Sequence, residues 1–368
     1  MKKILYIIIC LLFCFSAHAE DKEILTQAYR TVTKHYIGEV QLSAIAAAGL
    51  RSLNEIDKDT QISLGKRSVS IYYKGRLQKT ITRPFDEQDA QEWADFTIEV
   101  LEMAKKVSPV LQRQDFELAE TVLYNGLPAL DKNSRYFPTL DLGQESKIPQ
   151  AYYATMLDGD ILYIRPGMIN EYMMNNFNQS MEEHQNLKGI IIDLQGNEGG
   201  YLKYALRLTD LFIGDGTMIY TLGREKGKRK VYGAHEGKLY ADVPMAILVD
   251  GETASAAEVI AMVLRKRDRA TLIGAQTYGK GTVQNLYKQS NEARIALTTE
   301  RYYSADNFSP DEQGIRPDIC LPNGENTDNY LESLESCPKT TGQNDKALTI
   351  ARELITKQSK PDNTAVSE

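Results

Sequence analysis

The sequence predicts an α/β protein whose mainly parallel sheet is preceded by a mostly helical amino-terminal domain. Three observations carry that expectation. Two continuous apolar runs, GIIIDLQ (Gly189–Gln195) and MAILVDG (Met245–Gly251), have the make-up of strands buried on both faces. Each is followed by a turn and a stretch of helical period, and strand alternating with helix leads to a parallel sheet. Upstream of Ala151, by contrast, apolar residues recur at steps of three and four.

In chain order, ILTQAYRTVTKHYI and VQLSAIAAAGLRSL read as helices. A strand pair, SVSIYYKG and RLQKTITR, interrupts them before QDAQEWADFTIEVLEMAKKV and ELAETVLYNGLPAL return to helix. AAAGLRSLNEIDKDT and VLYNGLPALDKNSRY echo each other weakly, and two helices with similar carboxyl-terminal turns account for it. From Ala151 come the strand DILYIRP, the helix MINEYMMNNFNQSMEEH, the strand GIIIDLQ and the glycine turn and helix NEGGYLKYALRLTDLFI. Strands TMIYTLG, KRKVYGA and MAILVDG follow, then the helix ETASAAEVIAMVLRK and strands TLIG, TVQNLYK and RIALTTERYY. KALTIARELITK reads as a short helix before a polar, proline-containing tail expected to be disordered.

The amino terminus, MKKILYIIICLLFCFSAHAE, has a basic start, an apolar run from Ile4 to Phe15 and the small-residue pattern Ala17-His18-Ala19. That is the pattern of a secretory signal peptide cleaved before Glu20, and the run is short for a membrane span. An exported protein, in a bacterial periplasm, is expected. Two of the four cysteines leave with the leader. In an oxidising compartment the remaining pair, Cys320 and Cys337, is expected to form a disulfide, contributing about 3 kcal/mol. The chain has 43 basic and 50 acidic residues and a net charge of −7, which argues against nucleic acid and anionic membrane surfaces as partners. His35, His184 and His235 fall in no metal-ligating spacing, so neither a metal nor a cofactor is expected.

One stretch invites a phosphate-binding reading. GAQTYGKGTVQ (Gly274–Gln284) places Gly274, Gly279 and Lys280 as in a G-x-x-x-x-G-K-[S/T] loop. Gly281 stands where the magnesium-binding hydroxyl belongs, and the β-branched, aromatic TVQNLY predicts a strand where a phosphate-binding helix is needed. A proton-handling lysine fits better.

Ligands of α/β sheets meet the chain outside the carboxyl ends of the strands. Three such ends carry unusual residues: QGNEGG, GETASAAE and AQTYGKG. Ser255 follows a strand and turn and opens a helix, where free N–H groups and the helix dipole favour an oxyanion. It also suits a plain helix cap. Lys280, made neutral by burial, can serve as its base, and Gln284, four residues on, can orient the amine; solvated turn and strand-surface roles are the alternatives. Asn197, Gly199 and Gly200 form a glycine turn, and the N–H of Gly199 or Gly200 with that of Ala256 suits an oxyanion hole.

GIIIDLQGNEGG, DGETASAAEVIA, GAQTYGKGTVQ and LTTERYYSADNFSPDEQGIRPDI, in this order and spacing, resemble the carboxyl-terminal processing (tail-specific) serine proteases over roughly Asp158–Pro322. ALDKNSRYF (Ala129–Phe137) resembles the LDPHSxY turn of that family. The resemblance implies a catalytic core related to the crotonase and Clp peptidase folds. It implies Ser255 as nucleophile, Lys280 as general base, Gln284 as its orienting partner, and Ala256 with Gly199 or Gly200 as the oxyanion hole. It also implies an acyl-enzyme endopeptidase acting on unfolded or carboxyl-terminal polypeptide segments. Two departures stand out. Gln195 and Glu198 replace the arginine and proline of the family's DLRxNPGG, and only about twenty residues separate Tyr136 from Asp158, too few for an ordinary PDZ module. An adaptor protein is one way such a member could recruit substrates. A non-catalytic peptide- or apolar-ligand-binding protein on the same fold is the alternative. The expected organisation is a signal peptide (1–19), a mainly helical domain (20–150), the α/β protease core (151–322) and a carboxyl-terminal extension (323–368).

Overall fold

The computed structural model describes residues 20–114, 118–138, 151–184, 186–225, 227–235, 240, 242–321 and 337–359. The expected leader and the end of the tail lie outside the described residues. The fold is mixed α/β, with a parallel sheet and a helical amino-terminal region. It divides into two compact units. One takes the described residues of Met1–Lys147 with Val283–Glu300, the other those of Ile148–Thr282 with Arg301–Glu368. Residues 283–300, within the α/β core expected from the sequence, group with the helical unit.

In the first unit, a helix over 20–35 and the helices Leu42–Arg51, Ala90–Val107 and Leu118–Gly126 accompany an antiparallel meander of β1 (Thr60–Leu64), β2 (Ser68–Tyr73) and β3 (Arg76–Thr82). Trp93, Tyr29, Leu25, Ile45 and Leu50 are fully buried in their shared core. The sequence echo has a structural counterpart. A Cβ on Gly49 would lie 2.2 Å from the Val122 carbonyl oxygen, and one on Gly126 2.6 Å from that of Ile45. Each echo segment therefore supplies the glycine against which the other helix packs, and any side chain there would force the backbones apart. Each also ends in an aspartate that caps its own turn. Asp57 accepts from Asp59 N and Thr60 Oγ1, and Asp131 from Asn133 N, Ser134 N and Ser134 Oγ. The second turn leads into β4 (Arg135–Phe137).

The second unit is built on β5 (Tyr152–Leu157), β6 (Ile161–Pro166), β7 (Gly189–Asp193), β8 (Thr217–Gly223), β9 (Arg229–Gly233), β10 (Met245–Val249) and β11 (Thr271–Gly274). The chain then crosses into the first unit along β12 (Thr282–Lys288) and returns along β13 (Arg294–Ser304), whose Arg294–Ala296 pair antiparallel with β4. A short β14 (Ile319–Cys320) completes a six-stranded sheet of order β14-β11-β10-β7-β6-β5, parallel except for the β5–β6 pair. The helix Asp345–Gln358 lays Ala347, Ile350, Ala351 and Ile355 on one face, against Tyr163, Ile191, Ala246, Leu248 and Ile273. The helix expected within the carboxyl-terminal extension thus packs on one face of this sheet. Leu162, Ile190, Ile192, Ile247 and Leu272 alternate to the opposite, equally buried face.

Candidate active site

Strands β7, β10 and β11 are sheet neighbours, so the three predicted segments emerge side by side at their carboxyl ends. Buried polar groups join the first two. Asp250 Oδ1 accepts from Gly196 N (3.0 Å) and Thr253 N (3.0 Å), and Thr253 Oγ1 donates to the Leu194 carbonyl (2.8 Å). Asn197 is buried; its Nδ2 donates to Pro166 O (2.8 Å), its Oδ1 accepts from Gly199 N (2.9 Å) and its carbonyl from Ala254 N (2.9 Å). The glycine turn thus forms without the family's proline, and Glu198 projects into solvent. Gln195, in place of the arginine, is buried; its Oε1 accepts from Asn344 N (3.4 Å), and its Nε2 has no hydrogen-bond partner among the described residues.

Ser255 stands at the cap of the helix Ala256–Lys266. An ordinary cap has extended backbone. Ser255 instead has φ 55° and ψ −120°, a conformation that costs a non-glycine residue about 1–3 kcal/mol. A strained serine between a strand and a helix is the arrangement that lifts a nucleophile's hydroxyl into reach. Ala256 is the first helical residue, so its N–H has no partner within the helix. Gly199 (φ 100°) lies against it: a Cβ there would be 2.8 Å from Ala256 N and 2.9 Å from Ser255 Cβ. The Gly199 N–H itself donates to Asn197 Oδ1.

Lys280 is half-buried, and its backbone is joined to that of Ser255 through two side chains to which the sequence reading gave no role. Glu258, fully buried, accepts from Ser255 N (3.0 Å) and Lys280 N (2.8 Å) on Oε2, and from Gly279 N (2.8 Å) and Thr277 Oγ1 (2.6 Å) on Oε1. Burial pushes its carboxyl above the usual range, against these four donors, which lower it. The hydroxyl of Tyr302 lies 2.9 Å from the Lys280 carbonyl oxygen and 3.3 Å from that of Ser255. Glu258 was findable, because Ser255-Ala256-Ala257-Glu258 spells a capping box. Nothing in the spacing of RIALTTERYY marks Tyr302.

Gln284 belongs to the other unit. Its Nε2 donates to Thr298 Oγ1 (3.1 Å), which donates to Asp131 Oδ1 (3.1 Å) in the ALDKNSRYF turn. The second unit's histidines are engaged elsewhere: His184 Nδ1 lies 2.8 Å from Ser180 O, and His235 Nδ1 2.7 Å from Asp210 Oδ2.

Cys320 and Cys337 are joined by a disulfide, with Cα atoms 5.9 Å apart. The strap that follows runs across the candidate site's loops. Pro338 O accepts from Gln276 N (3.3 Å), Lys339 Nζ donates to Tyr278 O (2.7 Å), Thr340 O accepts from Gly251 N (2.7 Å) and Gly342 N donates to Asp250 Oδ2 (3.1 Å).

Residues 160–321 match Peptidase family S41. A carboxy-terminal-processing protease of Bartonella bacilliformis is 34% identical over 171 residues, 45% of this chain and 39% of that protein. A carboxyl-terminal-processing protease of Synechocystis is 37% identical over 136 residues, 37% of this chain and 31% of that protein. The chain thus spans less than half the length of these relatives. A solved lipoprotein from Streptococcus agalactiae, 16% identical, is alike in fold at a TM-score of 0.53, over 86% of this chain and 97% of its own.

Proposed function

We propose that this chain, whose residues 160–321 match peptidase family S41, is an exported serine endopeptidase that cleaves unfolded or carboxyl-terminal polypeptide segments with Ser255 and Lys280. The observation that carries this reading is the shared hold on the two residues: one Glu258 oxygen accepts both of their N–H groups. Their backbones are therefore only two hydrogen bonds apart.

In the proposed reaction, Ser255 Oγ attacks the scissile carbonyl while the Lys280 amine takes the hydroxyl proton. The N–H groups of Ala256 and of Gly199 or Gly200 hold the oxyanion. The carbon–nitrogen bond then breaks, Lys280 returns its proton to the leaving amine, and an acyl-Ser255 ester remains. Water, deprotonated by Lys280, hydrolyses that ester and restores the serine. All these residues lie in the second unit. The leader-like amino terminus and the Cys320–Cys337 bond support export to an oxidising compartment such as a periplasm. Recruitment by an adaptor in place of a PDZ module belongs to the same proposal.

The test is hydrolysis of an unfolded reporter protein by the leaderless chain and by Ser255→Ala and Lys280→Ala. Each substitution is expected to lower kcat by about 10³-fold or more, with circular dichroism unchanged. Cleavage that survives in both variants overturns the reading.

A further inference from the structure

We propose that Glu258 and Tyr302 are the positioning residues that set Ser255 against Lys280, one carboxylate oxygen gathering their N–H groups and one hydroxyl spanning their carbonyls. The inference deepens the Ser–Lys protease reading and rests on it.

A helix cap alone does not require this arrangement. Of the four bonds to Glu258, capping uses only the one from Ser255 N to Oε2. The other three donors, Thr277 Oγ1, Gly279 N and Lys280 N, all come from the lysine loop. Thr277 Oγ1 accepts from Ile315 N (2.7 Å), so its own proton is directed to Glu258. Four donors converge on one buried side chain, which therefore serves as a carboxylate. A buried anion is costly unless its oxygens are satisfied, and here three of the four groups that satisfy it are backbone N–H groups of Ser255 and the lysine loop.

Tyr302 acts on the opposite side of the same two residues. Its ring is buried and its own N–H donates to Gly281 O (3.0 Å), which fixes it beside the lysine loop. Burial, reinforced by the charges of Glu258 and Asp311, pushes its phenol well above the ordinary value, so it remains a donor across the working range. Its proton is shared between the Lys280 carbonyl and, at the longer distance, the Ser255 carbonyl. The hydroxyl and the carboxylate together hold Ser255 in its strained φ of 55°. A displacement of the order of 1 Å between reacting groups costs about 100-fold in rate, so a clamp shared by nucleophile and base is a rate device.

The experiment compares Tyr302→Phe, Glu258→Gln and Glu258→Ala with wild type, Ser255→Ala and Lys280→Ala, all as leaderless full chains. Two rates are read. One is hydrolysis of the unfolded reporter, resolved into kcat and KM. The other is labelling of Ser255 by a fluorophosphonate probe, which needs no knowledge of the substrate. Melting by circular dichroism supplies the folded fraction. Tyr302→Phe is expected to lower kcat and labelling about 10- to 100-fold at unchanged KM and unchanged folded fraction. Glu258→Gln, whose amide oxygen can still bridge Ser255 N and Lys280 N, is expected to keep part of the rate that Glu258→Ala loses. If Tyr302→Phe and Glu258→Gln match wild type while Ser255→Ala and Lys280→Ala are dead, the clamp is wrong and the protease stands. Rates that fall only in proportion to the folded fraction also overturn the clamp. Activity surviving in Ser255→Ala removes the protease reading, and the clamp with it.

Discussion

The two ends of the helix Ala256–Lys266 are built on opposite principles. At its amino end stand a strained serine and a buried glutamate whose hydrogen bonds all go to backbone or to Thr277. At its carboxyl end three basic residues in succession reach exposed or half-exposed acids: Arg265 to Asp318 (2.6 Å), Lys266 to Asp306 (2.6 Å) and Arg267 to Asp215 (2.9 Å). Both ends complement the helix dipole. Only the amino end does so with a desolvated charge and a disfavoured backbone. The contrast separates what holds the helix in place from what the site demands. The carboxyl end is a set of weak, replaceable ion pairs, whereas each group at the amino end is tied to the serine or the lysine.

The largest effect that would sharpen this contrast lies in the disulfide strap. Replacing Cys320 and Cys337 by alanine removes a cross-link with a sequence separation of 17 residues, expected to cost about 3 kcal/mol of stability. The strap also supports Gly251, Gln276 and Tyr278 on the loops leading to Ser255 and Lys280. Activity at a temperature where the variant is still folded is therefore expected to fall severalfold. Unchanged activity at full folding would confine the cross-link to stability and leave the amino end independent of it.

Gly199→Ala comes next. Its methyl would meet Ala254 O at 2.6 Å and Ala256 N at 2.8 Å, both of them backbone, at a φ of 100° that alanine rarely adopts. The turn must shift, and the Ala256 N–H with it. A loss of about 10- to 100-fold in kcat is expected, below the roughly 10²- to 10³-fold cost of removing an oxyanion donor outright, together with a lowered melting temperature. Wild-type kcat would remove Gly199 from any close contact with the reacting groups.

A subtler effect is a pH dependence. Burial, against four donors, leaves the Glu258 carboxyl above its ordinary 4.5. A group raised on folding stabilises the folded state below its unfolded value, and that contribution is lost as pH rises through the folded one. The melting temperature of wild type relative to Glu258→Gln is therefore expected to improve as pH is lowered from neutral toward 4.5. Parallel curves over that range would mean that the amino end carries no such electrostatic cost.

How much of this was legible in the sequence depended on whether the signal was local. Gly189–Asp193 and Met245–Val249 declared themselves as buried strands because no polar residue interrupts their cores. β5 (YYATML) went unnoticed, for it is a half-exposed edge strand with no continuous apolar run. Ser255 and Lys280 were visible through their motifs, and Glu258 was visible as a capping box without its reach to the lysine loop being so. The allegiance of Val283–Glu300 was not visible at all. It is decided by pairing of Arg294–Ala296 with Arg135–Phe137 and by burial of Ile295 and Leu297 in the first unit's core, contacts more than a hundred residues apart. The carboxyl-terminal helix was legible as a helix from its period, but which sheet face it covers is set by partners such as Ile191 and Leu248. Tyr302 stands in an ordinary aromatic strand, and only the fold brings its hydroxyl to the carbonyls of Ser255 and Lys280.

The smallest expected effect tests the other end of the helix. Arg267 Nη2 reaches Asp215 Oδ1 at 2.9 Å and the Asp215 carbonyl at 2.7 Å, and the Asp215 side chain is 84% exposed. Such a pair gains little Coulomb energy in water and is screened within about 10 Å at 0.1 M salt. Arg267→Ala is expected to cost less than about 1 kcal/mol, to lose most of that difference in 1 M salt, and to leave kcat unchanged. A loss of kcat here, more than 10 residues along the helix from Ser255, would mean that the two ends are coupled through the helix. The division between a holding end and a working end would then fail.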